Sequence, residues 1–331
     1  MKLMSRNSIR PRAKSLLLTL IAGFLSTMGT AQGYETEFVV SQDGSGDYTS
    51  IQAAIDGAKS FPYERITIHV RNGVYNEKVK VHAWNTKLSI IGESKDSTII
   101  SYDDYFDSIN RGRNSTFHTY TFLVDANDFH AKNLTIENIA GEVGQAVALH
   151  VEADRVSFEN CRLLGNQDTV YLAGEGNRNY FGNCYIEGTT DFVFGGATAF
   201  FEDTEIHSKS NSYITAASTP ENLKYGFVFQ NCSLTAAEGV DEVYLGRPWR
   251  NYAKTVFMNT RMDSHILAKG WDNWGKTEAE SSTFYGEFNS SGPGANSGQR
   301  VDWSHQLTKE QADKYIRERV FDQWDPIIES H

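Results

Sequence analysis

The sequence predicts an all-β solenoid, a parallel β-helix, and three observations lead to it. A six-residue unit recurs five times through the second half of the chain; each copy alternates apolar and polar positions; and no amphipathic helix separates the copies. Phe158-Glu-Asn-Cys-Arg-Leu163 returns as Phe181-Gly-Asn-Cys-Tyr-Ile186, Phe201-Glu-Asp-Thr-Glu-Ile206, Phe229-Gln-Asn-Cys-Ser-Leu234 and Phe257-Met-Asn-Thr-Arg-Met262. The starts are separated by 23, 20, 28 and 28 residues. A unit this short cannot bury its own apolar face, so successive units must stack. Leucine-rich and helical repeats would need signatures that are absent. Stacking predicts an apolar column of Phe158, Phe181, Phe201, Phe229 and Phe257, with Asn160, Asn183 and Asn231 laddered at the turns.

Taken from the start, the chain opens with Lys2, Arg6, Arg10, Arg12 and Lys14, an apolar run over Leu16 to Leu25, and the small residues Gly29-Thr30-Ala31. A basic start, an apolar stretch too short to span a bilayer and small residues at the cut predict a cleaved secretory signal peptide over residues 1–31. The mature protein is therefore expected outside the cytoplasm, secreted or periplasmic, with no membrane attachment. Ser50 to Ala58 has an N-cap residue and helical apolar spacing, suited to covering the first coil. Arg65–Val70, Leu88–Ile91 and Leu134–Ile139 read as further strands. Thr308-Lys-Glu-Gln-Ala-Asp-Lys-Tyr315 begins with a capping-box pattern and predicts a short helix at the far end. Residues 33–331 thus read as one solenoid domain with short capping helices.

Composition agrees with that reading. Across 331 residues, 31 Lys+Arg face 42 Asp+Glu, with 40% hydrophobic and 22% charged residues. Those fractions exclude disorder, collagen and coiled coil. The formal net charge of −11 argues against a nucleic-acid binder. Removing residues 1–31 takes away five positive charges and leaves −16. Cys161, Cys184 and Cys232 lack metal-ligand spacing and are expected to be free, buried thiols. Cys184 and Cys232 have Thr204 between them in the repeat, so a bridge between them would contradict the register. Nine His residues show no ligand pattern either, so neither metal nor cofactor is expected, and the mature protein is expected to be a monomer.

The chemistry follows from the repeat. Gln145, Asp168 and Asp191 are separated by 23 and 23 residues, the step from Phe158 to Phe181. Equivalent positions on adjacent coils stack about 4.8 Å apart, which predicts an amide and two carboxylates in one column. Carboxylates that close titrate as a pair, suiting one as acid and one as nucleophile or base. Arg247 lies ten residues before Phe257, as Asp191 lies ten before Phe201, so its guanidinium is expected to reach back to a carboxylate. A solvated acidic ladder neutralised by an arginine would produce the same spacing, and spacing alone leaves both open.

Four segments around these residues, Gly144-Gln-Ala-Val-Ala-Leu149, Gly165-Asn-Gln-Asp-Thr-Val170, Asp191-Phe-Val-Phe-Gly195 and Leu245-Gly-Arg-Pro-Trp249, resemble the signature segments of pectin methylesterases in the family's order. Gly73-Val-Tyr-Asn-Glu77 resembles a fifth, and Asp43-Gly-Ser-Gly-Asp47 and Gly292-Pro-Gly-Ala295 extend the likeness to almost all of the mature chain. The resemblance implies a right-handed parallel β-helix and a serine-free esterase that releases methanol from the C6 methyl esters of homogalacturonan (pectin). It implies Asp191 as nucleophile, Asp168 as general acid and then base, Gln145 and Gln167 as oxyanion donors, and Arg247 as the group that holds Asp191 ionised. Asp191 is then expected to keep a low pKa and Asp168 a raised one. Because Gln167 and Asp168 are adjacent, a turn or bulge must bring both toward the cleft.

Substrate contacts implied are Thr116, Tyr171, Phe194 and Trp249, besides Gln145 and Arg247; Trp271 and Trp274 are further cleft candidates. A charge of −16 predicts that the polymer is repelled as demethylation proceeds, favouring highly methylesterified pectin. Competing readings are an esterase of this family acting on another ester and a polygalacturonase-like glycosidase using the paired carboxylates. A serine esterase is disfavoured because no Gly-x-Ser-x-Gly elbow occurs. A calcium-dependent lyase is disfavoured because Asp103, Asp104 and Asp107 fall outside the repeat column.

Overall fold

The repeated strands stack into three parallel sheets of eleven, seven and eight strands. The computed structural model describes residues 33–326; the expected signal peptide, residues 1–31, lies outside them. Each coil visits the three sheets in turn. Val156–Glu159 belongs to the eleven-stranded sheet, Arg162–Leu164 to the eight-stranded one and Val170–Leu172 to the seven-stranded one, before Arg178–Gly182 starts the next coil. Every described pairing is parallel, and the repeat register is direct: Phe158 faces Phe181, which faces Phe201, then Phe229, then Phe257. The unequal spacings are absorbed in the connecting loops, so the strands stay aligned.

Inside, the phenylalanine column forms as expected. Its ring centroids lie 5.3, 4.9, 4.4 and 4.5 Å apart, with planes within 13° of parallel. The rings are spaced by the sheet itself, and burying each one stabilises by about 1.5–3 kcal/mol. Leu163, Ile186, Ile206, Leu234 and Met262 form a matching column in the eight-stranded sheet. The bend between these two sheets is made by one residue per coil in the left-handed region. Asn133, Asn160, Asn183, Asp203, Asn231, Asn259 and Asn289 hold φ between 49° and 57°. Asn and Asp tolerate that conformation better than other side chains, because their short polar groups bond locally. The amides ladder, with Asn160 donating to Asn133 at 2.7 Å and Asn289 to Asn259 at 2.9 Å. Cys161, Cys184 and Cys232 sit just inside these bends as free, buried thiols. Burial pushes Cys161 and Cys232 up to about 12.

The helix Ile51–Gly57 covers the first coil with Ile51, Ala54 and Ile55 buried, and the Ser50 hydroxyl accepts from Ala53 N. Glu77 completes its start, accepting from Ile51 N and Gln52 N at 2.9 and 3.0 Å. At the far end the Thr308–Gln311 capping box is present, but the helix runs only from Lys309 to Ala312 and a second follows at Arg317–Val320. These helices lie along the outside of the eleven-stranded sheet, not over the last coil. Ala312, Val320 and Phe321 pack on Tyr180, Phe200, Val228, Val256 and Met258. The reason lies in the strands: Phe200 and Phe201 point to opposite faces, so the outer face is apolar as well and needs cover. The last coils are closed by residues 292–303, where Arg300 and Glu287 form an ion pair with both side chains 2% exposed. Three carbonyls, Leu267, Ala268 and Gly294, accept from the same guanidinium.

Candidate active site

The site is built where the chain enters the seven-stranded sheet. Asp168 and Asp191 both adopt left-handed backbone, with φ of 66° and 48°. This is the turn that the adjacency of Gln167 and Asp168 required. Reversing φ at Asp168 redirects its side chain, so consecutive residues share the cleft. Asp168 N donates to Thr190 O at 3.0 Å and Asp191 N to Tyr213 O at 2.8 Å, fixing both turns to the next coil. Val170 pairs with Val193, so the two aspartates hold equivalent positions on adjacent coils.

The amides arrive differently from the expected column. Gln145 pairs across the coils with Gln167, not Asp168. Leu149 faces Val170, a step of 21 residues, so the 23-residue interval from Gln145 to Asp168 is a coincidence of loop length. Gln145 and Gln167 therefore form one rung and the aspartates the next. Arg247 also departs from simple equivalence. Tyr213 and Tyr244 continue the Asp191 position through the next two coils, and Arg247 stands three residues beyond. Its long side chain closes that offset. Nε donates to Asp191 Oδ1 at 2.9 Å and Nη2 to Oδ2 at 2.7 Å, a bidentate pair. The rings of Tyr213 and Trp274 lie 3.9 and 3.7 Å from the guanidinium carbon and hold its plane.

Gln145, Gln167, Asp168, Asp191 and Arg247 line one cleft of about 280 Å³, together with Thr116, Phe194 and Trp249. A wider groove, about 480 Å³, runs past Arg162 and Glu205 on the eight-stranded sheet, so size alone does not select the site. What distinguishes the smaller cleft is its pair of buried acids. Burial pushes Asp168 well above the ordinary carboxylate range, helped by the neighbouring Asp191 charge and opposed by Arg247. Asp191 is also raised, chiefly by burial, with Arg247 opposing the rise through its hydrogen bonds and charge. The expected low value for Asp191 is thus corrected: the arginine limits the effect of burial without reversing it. Such a pair gives one acid that keeps its proton and one that an arginine biases toward ionisation.

Aromatic residues sort into wall, shelf and core. Phe194 and Trp249 line the cleft. Tyr171 lies beside it, stacked on Phe194 at 4.7 Å and tilted against Phe117 at 5.0 Å, extending the shelf rather than forming the wall. Trp274 is a cleft residue, whereas Trp271 is 1% exposed and stacks on Tyr285 inside the last coils. The sequence reading missed Arg113, Phe117, Ala216 and Tyr213. Arg113 and Phe117 come from the 3₁₀ segment Gly112–His118, outside the repeat, and carry no periodic signal. Tyr213 could have been found by register, two residues before Thr215, the partner of Val193. Among the described residues no cluster of three or more His, Cys, Asp or Glu could hold a metal ion, and no helix is long and apolar enough to cross a membrane.

Comparison with known proteins bears on this geometry. The family model described as Pectinesterase matches residues 37–323. Pectinesterase 31 of Arabidopsis thaliana is 39% identical over 291 residues, covering 86% of this chain and 91% of that protein. Among solved structures, the pectin methylesterase from carrot superposes with a TM-score of 0.80 at 31% identity, covering 86% of this chain and 92% of the other. PemA from Erwinia chrysanthemi gives 0.77 at 30% identity, with 90% and 100% coverage. A pectin methylesterase in complex with a hexasaccharide gives the same score, identity and coverages. The fold is accordingly the right-handed parallel β-helix of these enzymes. With two acids, two amides and an arginine gathered in one cleft of that helix, the chain belongs to the pectinesterase family.

Proposed function

We propose that this protein hydrolyses the C6 methyl esters of homogalacturonan, with Asp191 as nucleophile and Asp168 as the proton donor. The observation that carries the assignment is the bidentate Arg247–Asp191 pair beside a second, more strongly perturbed carboxyl group. Arginine keeps one Asp191 oxygen pair charged and aimed, and attack on the ester carbonyl gives a tetrahedral oxyanion. Gln145 and Gln167 have no side-chain partner among the described residues, so their amides are free to donate to that oxyanion. Asp168, held protonated by burial, donates to the departing methanol. It then serves as base for the water that cleaves the acyl-enzyme.

Thr116, Phe194 and Trp249 would seat the sugar, and Tyr171 would support the next one along the shelf. Residues 1–31 would direct export and be removed, leaving a monomeric enzyme that acts on cell-wall polymer without a membrane anchor. The test is methanol release from highly methylesterified pectin by the purified mature chain, with Asp191→Asn alongside. Methanol from the wild type and none from the variant is the expected result. Release of reducing ends from demethylated polymer in place of methanol would refute the assignment in favour of a glycosidase.

A further inference from the structure

We infer that Phe61, Tyr63 and Trp84 form a second polysaccharide-binding surface, outside the cleft, on which pyranose rings of a long homogalacturonan chain stack. The inference takes the polymer's identity from the pectinesterase reading and goes beyond it in assigning a site that takes no part in the reaction.

The three rings are 69%, 86% and 45% exposed. Single exposed rings need no explanation, but three gathered in one patch do. They stand where the first coils pass between the seven-stranded and eleven-stranded sheets. Phe61 and Tyr63 precede the strand Ile66–Val70, and Trp84 follows Val79–Val81. Backbone contacts gather them: Phe61 N donates to Trp84 O at 2.7 Å, and Lys87 Nζ donates to Tyr63 O at 2.8 Å. Phe61 is held at φ 50°, a left-handed backbone that a bulky side chain adopts only at a cost. Pro62 between the two exposed rings is buried and anchors the loop.

The arrangement fits a sugar better than a protein. His82 supports one face of the Trp84 ring, stacked at 4.5 Å with planes 9° apart, and is itself held by Asp56 at 3.4 Å. The opposite indole face is open. Among the described ring contacts Trp84 meets only His82, and Phe61 and Tyr63 meet none. Separate open faces suit the flat C–H faces of successive pyranoses, whereas a protein partner is met by rings packed into one apolar core. Lys59, exposed on the same loop, has no hydrogen-bond or ion-pair partner among the described residues, so it gives the patch a cation matched to an anionic glycan.

Distance gives the surface its use. Val79 is joined to Val193 through Phe122, Leu149 and Val170, four strand steps of about 4.8 Å. The coil of the patch therefore lies roughly 19 Å from that of Asp191. A trimer seated in the cleft does not reach that far, but a polymer does. Holding the polymer at a second point raises its effective concentration at the acids without touching the chemistry.

The test compares wild type with Trp84→Ala, with the double variant Phe61→Asn, Tyr63→Ser, and with Val74→Thr, which alters an exposed apolar residue on the eight-stranded sheet. Asn accepts the left-handed backbone, so the double variant is expected to fold. Methanol release is measured on long methylesterified homogalacturonan and on its fully methylesterified trimer. Both patch variants are expected to raise KM for the polymer about tenfold with kcat unchanged, and to match wild type on the trimer. Val74→Thr should track wild type on both. In native gels containing the polymer, wild type should be retarded and the patch variants less so; their charge is unaltered, so mobilities should agree without polymer. An unchanged KM for the polymer, or equal losses on polymer and trimer, would overturn the surface. So would light scattering in which wild type dimerises and the patch variants do not, which would give the rings to a second copy of the chain. Methanol from neither substrate with wild type would overturn the pectinesterase reading instead, and gel retardation would then still judge the surface.

Discussion

Replacing Arg247 with Gln leaves Asp191 in place but removes its counter-ion. The two side chains are 18% and 8% exposed, so the stranded carboxylate gains little from water. Breaking a buried pair in this way costs about 3–5 kcal/mol. Asp191 can relieve that cost by taking up a proton, and at about 1.4 kcal/mol per unit its pKa is expected to climb by about two to four units. As the proposed nucleophile Asp191 must be ionised, so the acidic limb of the kcat–pH profile should move up by the same amount. Asp168 must stay protonated at the same time, so the productive state becomes scarce and the maximum rate falls. Stability gives the second readout. Both aspartates have folded values raised above their unfolded ones, so folding favours their protonated forms. That contribution is fully present below about pH 4 and is lost as pH rises through the raised values. Arg247→Gln should therefore destabilise at pH 7 and much less at pH 4, by thermal melting at each pH. Adding Asp191→Asn removes the stranded charge and should recover most of the loss. An unmoved acidic limb, or a double variant as unstable at pH 7 as the single one, would refute the reasoning.

Asp168→Asn should abolish turnover while preserving the fold, because Asn accepts the left-handed backbone at that position; circular dichroism and methanol assay together check both halves. Gln145→Ala is expected to lower kcat by about 10²–10³ if its amide binds the oxyanion, and a wild-type rate would rule that out. Trp274→Leu removes a ring 3.7 Å from the Arg247 guanidinium and should lower kcat several-fold and shift the acidic limb upward, with Trp274→Phe recovering most of both. At a structural turn, Asn231→Ala should cost about 1 kcal/mol of stability and Asn231→Gly much less, measured by denaturant unfolding, because φ there is 55°.

Much of the fold was legible because a parallel β-helix repeats its strand pattern at each coil. Five phenylalanines in matching contexts predicted their own stack, and the Asn after each strand end predicted the turn ladder. The two cleft carboxylates were legible for the same reason: Asp168 and Asp191 hold equivalent positions on adjacent coils. Gln145 and Arg247 matched the repeat by interval, yet the structure puts Gln145 beside Gln167 and Arg247 three residues past its supposed equivalent. Interval measures chain length, and loops between sheets absorb length without changing register. Arg113 and Phe117 were silent because they arrive on a non-repeating segment.

The sequence by itself determined the strand pattern, the stacking of coils, the identities of the two acids and the acidic net charge. Only the tertiary structure decided which residues meet across the cleft, because side-chain reach and loop length escape periodicity. It also decided that Trp271 is core and Trp274 is cleft, that the last helices cover a sheet face, and that Asp191 is raised by burial despite its arginine. Desolvation depends on every atom that surrounds a group, and those atoms come from coils far apart in the chain.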